Sequence, residues 1–231
     1  MPTIAIVGAG PGLGLSIARV FGSRGFDVAL ISRSKDKLDT LVAELATAEI
    51  TAAGFPADVA DTAQLTGALQ DAIARFGRID VLEFSPHAGL TRTAPKDVTL
   101  DTLRPQIDSL LYGAVAAVQT VLPGMLEARA GTVLFTTGGG ALNPYPMLAD
   151  VNIAQSGQRN WAINLHNTLA GRGIYVANVA INLMIGTRAP EGVPCRAPDE
   201  IALDYWTLHT GRDQAEHPIG GGDGVGVGPD L

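Results

Sequence analysis

Seven residues near the N-terminus, Gly8-Ala9-Gly10-Pro11-Gly12-Leu13-Gly14, carry the clearest chemistry in the chain. The apolar run Ile4 to Val7 before them has no helical period and stops at a glycine, as a strand buried on both faces of a parallel sheet does. After Gly14 the apolar positions Leu15, Ala18 and Phe21 recur at helical spacing, so a helix starts inside the glycine run and ends near Gly22 to Gly25. Strand, glycine turn and helix in that order aim unpaired helix N–H groups, and the positive end of the helix dipole, at whatever lies above the strand end. That is phosphate-binding chemistry, with Gly8, Gly10, Gly12, Leu13 and Gly14 as the candidate cradle. The dinucleotide fingerprint G-x-G-x-x-G would need glycine where Leu13 stands; Gly8, Gly12 and Gly14 fit G-x-x-x-G-x-G instead.

The elements that must position this turn alternate as βα units, which predicts an α/β fold with a Rossmann-like, doubly wound parallel sheet in a single domain. Strands are expected at Val28 to Ile31, Thr51 to Phe55, Ile79 to Phe84, Thr132 to Thr136 and Ile174 to Ile181. Helices are expected at Asp36 to Ala48, Thr62 to Phe76, Asp101 to Ala128, Ala149 to Ala170 and, shorter, Asp199 to His209. The domain is read as residues 1–218. From Ile219 the glycine-rich residues 219–231 are too poor in packing side chains to hold one conformation unaided and read as a flexible tail.

Composition narrows the partners. A chain of 231 residues with 46% hydrophobic content has ample length for one core. Its 16 basic and 23 acidic residues, net charge −7, contain no basic run, which argues against nucleic acid. The single Cys195 excludes an internal disulfide and a cysteine metal cage and suits a reducing, cytoplasmic setting. His166, His209 and His217 have neither spacing nor companions for a metal. No cleavable leader is read at the N-terminus, whose apolar residues are already the first strand, and no apolar run approaches the ~18 residues of a membrane span.

Over roughly residues 3 to 210 the chain resembles the short-chain dehydrogenase/reductase family. The glycine spacing, Asp58-Val59, Phe76-Gly77-Arg78-Ile79-Asp80-Val81-Leu82, Val121-Leu122-Pro123-Gly124-Met125 and Gly173-Ile174-Tyr175-Val176 carry the likeness. The resemblance implies a bound NAD or NADP, with Asp58 and Val59 at the adenine. It also implies a homodimer or homotetramer paired through the helices at 101–128 and 149–170. Ser32 and Arg33 end the second strand where an acid would select NAD; a guanidinium there can take a 2′-phosphate by paired hydrogen bonds, which favours NADP.

The catalytic residues implied by that family do not map onto this chain. They are a tyrosine with a lysine four residues later, a serine and an asparagine. Residues four beyond Tyr112, Tyr145, Tyr175 and Tyr205 are Ala116, Ala149, Val179 and His209, and the three lysines are Lys35, Lys37 and Lys96. In register, Val151 stands at the tyrosine position, Gln155 at the lysine, Gly138 at the serine and Leu110 at the asparagine. Gln155 keeps a neutral donor for ribose hydroxyls. Thr136 and Thr137 could replace the serine hydroxyl.

Three readings follow. The first is a reductase with a relocated acid: His87, because only histidine titrates near neutrality unperturbed, with Asn143 and Tyr145 on the loop that walls the family's substrate pocket. The second is an oxidoreductase of other chemistry on a small aromatic or polyketide-like molecule, extending to a monooxygenase or tailoring enzyme of aromatic biosynthesis. The third is a binding protein, a non-catalytic pseudoenzyme that holds dinucleotide.

Overall fold

The computed structural model describes residues 1–87, 89 and 92–221. Among these, seven parallel strands form one sheet in the order β3-β2-β1-β4-β5-β6-β9. They are β1 Thr3–Val7, β2 Asp27–Ser32, β3 Ala52–Pro56, β4 Val81–Phe84, β5 Gly131–Gly138, β6 Ile174–Ile181 and, at the edge, β9 Glu216–Ile219. A two-residue pair, β7 Met184–Ile185 with β8 Cys195–Arg196, stands apart from the sheet. The helices are α1 Leu13–Gly22, α2 Lys35–Ala46, α3 Thr62–Phe76, α4 Leu100–Gln106, α5 Gly113–Ala128, α6 Ala149–Leu169 and α7 Pro198–Gly211.

Continuous apolar runs make the inner strands, because helices cover both sheet faces. All five residues of β1 and all eight of β6 are buried. Strand alternation then divides the core. Ile4 and Ile6 pack with Phe21, Leu38 and Tyr205 beneath α1, α2 and α7, while Ala5 and Val7 pack with Leu69, Ala117 and Val121 beneath α3 and α5. Helix starts are fixed locally: the Asp61 carboxylate accepts from the N–H groups of Ala63 and Gln64, and Thr99 forms a capping box with Thr102.

Three sequence expectations are corrected. The long helix expected at Asp101 to Ala128 is α4 and α5 joined by a π-helical turn at Ile107–Tyr112. As a unit, Leu100–Ala128 is long and apolar enough to cross a membrane by length and composition, which reading uninterrupted runs missed; 44% of its most apolar window is buried, and α5 packs on α3 and β5. Second, β4 begins at Val81 rather than Ile79. Third, Ile219 belongs to the sheet and not to a tail: it is buried, pairs with Ile181, and its carbonyl accepts from Asn182 N–H at 2.8 Å. Asn182 Nδ2 also donates to the Gly221 carbonyl at 2.7 Å. Of the expected tail, residues 222–231 lie outside the described residues.

Candidate functional site

The strand order reverses between β1 and β4, and ligands of such sheets bind in the crevice at the C-terminal strand ends there. The glycine turn sits at that point. Gly8 and Ala9 donate to the Ile31 carbonyl at 2.9 and 3.0 Å, tying the turn to β2. Gly8 has φ +97°, and a Cβ on it would lie 2.6 Å from the Ser85 carbonyl oxygen; at Gly14 a Cβ would sit 3.2 Å from Ala9 Cα. The protein's own backbone therefore accounts for both glycines. Gly10 and Gly12 differ, since a Cβ at either meets nothing within 4 Å. The floor above the α1 N-terminus is open, and Gly12, its N-cap, has no side chain to satisfy the first N–H groups, those of Leu13 and Gly14. That cradle fits a pyrophosphate.

From the turn a cavity of about 1070 Å³ runs over the ends of β4, β5 and β6. Leu148, Val151, Ile181, Leu183 and Met184 give it apolar walls, and Ser85, Thr136, Asn143, Tyr145, Asn152 and Gln155 give it polar groups. The expected catalytic candidates His87, Asn143 and Tyr145 all line it. His87 is exposed, with Nδ1 accepting from the Gly89 N–H at 3.1 Å. The Tyr145 carbonyl accepts from Asn152 Nδ2 at 2.7 Å, which ties the loop to the first turn of α6. On the far side of the loop Thr93 bridges to Leu148 and donates to the fully buried Asp150 at 3.0 Å.

The four positions singled out by the sequence resemblance, Gly138, Val151, Gln155 and Leu110, meet in two pairs. Gln155 Oε1 accepts from the Gly138 N–H at 3.0 Å. Val151 and Leu110, both buried, share an apolar cluster with Ala154, and Leu110 reaches it from the π turn. Ser32, Arg33, Asp58 and Val59 lie outside the cavity, at the ends of β2 and β3. Arg33 is exposed there; Asp58 Oδ1 accepts from Ala60 N–H at 3.0 Å, and Val59 packs against Gly113.

Sequence reasoning missed Glu83. It is fully buried on β4, between Ile6 of β1 and Leu134 of β5. Ser85 Oγ lies 2.9 Å from one carboxyl oxygen and Thr136 Oγ1 2.8 Å from the other; Thr136 Oγ1 is also 2.6 Å from the Tyr205 hydroxyl. Burial pushes the carboxyl up from 4.5 to about 8, against the lowering effect of the two hydroxyls. The signal was present as a glutamate inside the apolar run Val81-Leu82-Glu83-Phe84, since such a residue is buried only with partners. Among the described residues no cluster of three metal-ligating side chains occurs.

Fold and crevice define a Rossmann-type domain of the doubly wound class. The chain matches the short chain dehydrogenase family over residues 2–190 and belongs to it. It is 28% identical over 185 residues to a D-threitol dehydrogenase of Mycolicibacterium smegmatis, covering 78% of this chain and 69% of that one. It is 29% identical over 186 residues to a 3-oxoacyl-[acyl-carrier-protein] reductase of Staphylococcus epidermidis, covering 78% and 74%. Among solved structures, L-sorbose reductase of Gluconobacter frateurii, complexed with NADPH and L-sorbose, superposes with TM-score 0.87 at 17% identity over 96% of this chain and 95% of that one. A variant of actinorhodin polyketide ketoreductase with NADPH gives 0.86 at 22% identity over 96% and 97%. At those identities the likeness is one of fold.

Proposed function

We propose that the chain is an oxidoreductase that uses a nicotinamide dinucleotide on a small, flat, aromatic or polyketide-like carbonyl compound, without a tyrosine–lysine acid–base pair. One observation carries this reading: the open floor at Gly10 and Gly12 leads directly into a cavity with apolar walls and a few convergent polar groups. The related dehydrogenase and reductase sequences support the reaction class. Leu13 and Gly14 N–H groups would hold the pyrophosphate, Asp58 and Val59 the adenine, and Arg33 a 2′-phosphate. Gln155 would reach the nicotinamide ribose with its amide N–H while Gly138 fixes its oxygen. The cofactor supplies the hydride; the chain orients the carbonyl through Asn143, Tyr145 and His87 at the cavity wall and excludes water with its apolar side.

Two binding measurements test this. Gly12→Ala puts a methyl where protein atoms leave room and a phosphate does not, so NADPH affinity by fluorescence titration should fall about tenfold or more while the melting temperature drops only a few degrees. Unchanged affinity would remove the cradle. Arg33→Ala should weaken NADPH about tenfold and NADH hardly at all, as a charge-assisted contact to a phosphate requires. Equal losses would leave Arg33 a turn residue. Oxygen uptake by the complex would favour the monooxygenase alternative, and binding without turnover the binding-protein alternative.

A further inference from the structure

We infer that Glu83 is the proton store of this site, delivering a proton to the substrate oxygen through the Ser85 hydroxyl. This rests on the oxidoreductase reading above. The geometry is a chain of four side chains: Tyr205 Oη to Thr136 Oγ1 at 2.6 Å, Thr136 Oγ1 to Glu83 Oε1 at 2.8 Å, and Glu83 Oε2 to Ser85 Oγ at 2.9 Å. Glu83 and Tyr205 are fully buried, whereas Ser85 and Thr136 line the cavity. The wet end of the chain is therefore a hydroxyl, and its dry end is walled off behind the sheet.

Protonation of Glu83 decides which way Ser85 points its single proton. With the carboxylate ionised, Ser85 and Thr136 both donate to it, and Ser85 offers the cavity only lone pairs. With the carboxyl protonated, Tyr205 donates to Thr136, Thr136 to one carboxyl oxygen, and the other carboxyl oxygen donates to Ser85 Oγ. The Ser85 proton is then free to point into the cavity. Burial keeps the carboxyl in that second form at neutral pH. Among the described residues, the other titratable group facing it is Tyr205 from α7, itself held un-ionised well above its ordinary range by burial, with Glu83 and then Asp204 adding to the rise. The neighbouring strands β1 and β5 face it with apolar and hydroxyl side chains, Ile6 and Thr136 among them.

With hydride that a bound reduced nicotinamide would supply, the carbonyl carbon would gain a C–H bond and the C=O π pair would move onto oxygen. That oxygen takes the Ser85 proton, the new O–H bond forming as the Ser85 O–H breaks. Ser85 Oγ takes the proton from Glu83 in turn. Glu83 is left as a carboxylate accepting from Ser85 and Thr136, and water reloads it when product leaves. Glu83 acts through Ser85, so it positions and stores the proton while Ser85 meets the substrate.

The test pairs a cofactor-free measurement with turnover. Infrared difference spectra of the wild-type protein alone, taken across neutral to alkaline pH, should show a carboxylic-acid C=O band that disappears with a midpoint at about 8, and Glu83→Gln should lack that band. Reduction of a panel of aromatic ketones with NADPH should fall about a hundredfold in Glu83→Gln at neutral pH, lose its alkaline decline, and leave NADPH affinity unchanged. Ser85→Ala should lose turnover equally yet keep the acid band, and Ser85→Thr should restore turnover; these variants carry the test if Glu83→Gln does not fold. Wild-type turnover and pH profile in Glu83→Gln, or absence of the acid band at neutral pH, would overturn the relay while the oxidoreductase reading stood. NADPH binding with no reduction of any ketone would also overturn the relay. Failure of the wild-type protein to bind NADPH would overturn the reading beneath it and the relay together.

Discussion

Between about pH 6.5 and about pH 9 the protein should lose roughly 2 kcal/mol of stability, read as a fall of about 4–8 °C in melting temperature, and Glu83→Gln should abolish most of it. The sign follows from burial. Glu83 titrates at about 8 in the folded protein and near its ordinary 4.5 once unfolded. Between those values the native chain keeps a proton that the unfolded chain has released, so stability falls by about 1.4 kcal/mol for each pH unit of rise. The loss is complete above the folded value. His209 works in the other direction. Burial first, and Arg212 second, push it down to about 4, so its contribution grows as pH rises from there to its ordinary 6.5. Being partly exposed, it acts through a screened and smaller effect. Below about pH 6.5 the two oppose each other, which leaves the fall above that point to Glu83. Tyr175, pushed up to about 12 chiefly by burial, stays out of the window. Calorimetry of both proteins across the range decides the matter: an equal fall in Glu83→Gln would assign the alkaline loss to other groups.

What could be read in the sequence was whatever is local. Ile4 to Gly14 declares strand, turn and helix within eleven consecutive residues, and the structure places all three at the switch point of the sheet. The apolar stripe of α3, with Leu65, Ala68, Leu69 and Ala72 buried, is equally self-contained. The edge strand β9 is not: Glu216-His217-Pro218-Ile219 has no run of β-formers and carries a proline that only an edge accepts. It is a strand because β6 offers it a partner. The π turn at Ile107–Tyr112 leaves no mark in the apolar spacing, and its consequence, Leu110 meeting Val151, joins two helices separated in the chain. Glu83 shows the same limit more sharply. Its anomaly is visible in four residues, but its partners are not, since Thr136 lies 53 positions away and Tyr205 a further 69. A period-based reading finds the elements and the cradle; the proton-handling groups emerge only when strand ends and α7 are brought together.

Placing the family's residues back into the site, as Gly138→Ser with Val151→Tyr and Gln155→Lys, should lower ketone reduction roughly ten- to a hundredfold rather than raise it. Each change works against an arrangement that is already complete. Val151 is buried against Leu110 and Ala154, so a phenol there must either overpack that cluster or swing into the cavity that the substrate needs. Leu110 stays apolar and offers the added hydroxyl no partner. Gln155→Lys removes the acceptor of the Gly138 N–H and brings a charge to an apolar-walled pocket. A serine at 138 has its Cβ only 3.2 Å from where the Gln155 oxygen sits, which is tolerable only if position 155 gives way. Meanwhile the oxygen chain ending at Ser85 is untouched, so the variant would carry two competing proton sources with one of them badly placed. Tenfold or greater gain in turnover, with the pH profile moving toward that of a tyrosine acid, would show that Val151 and Gln155 are eroded remnants of the family's pair. It would also make Glu83 superfluous, because a site that regains full activity from a phenol at 151 has no need of a carboxyl buried behind Ser85.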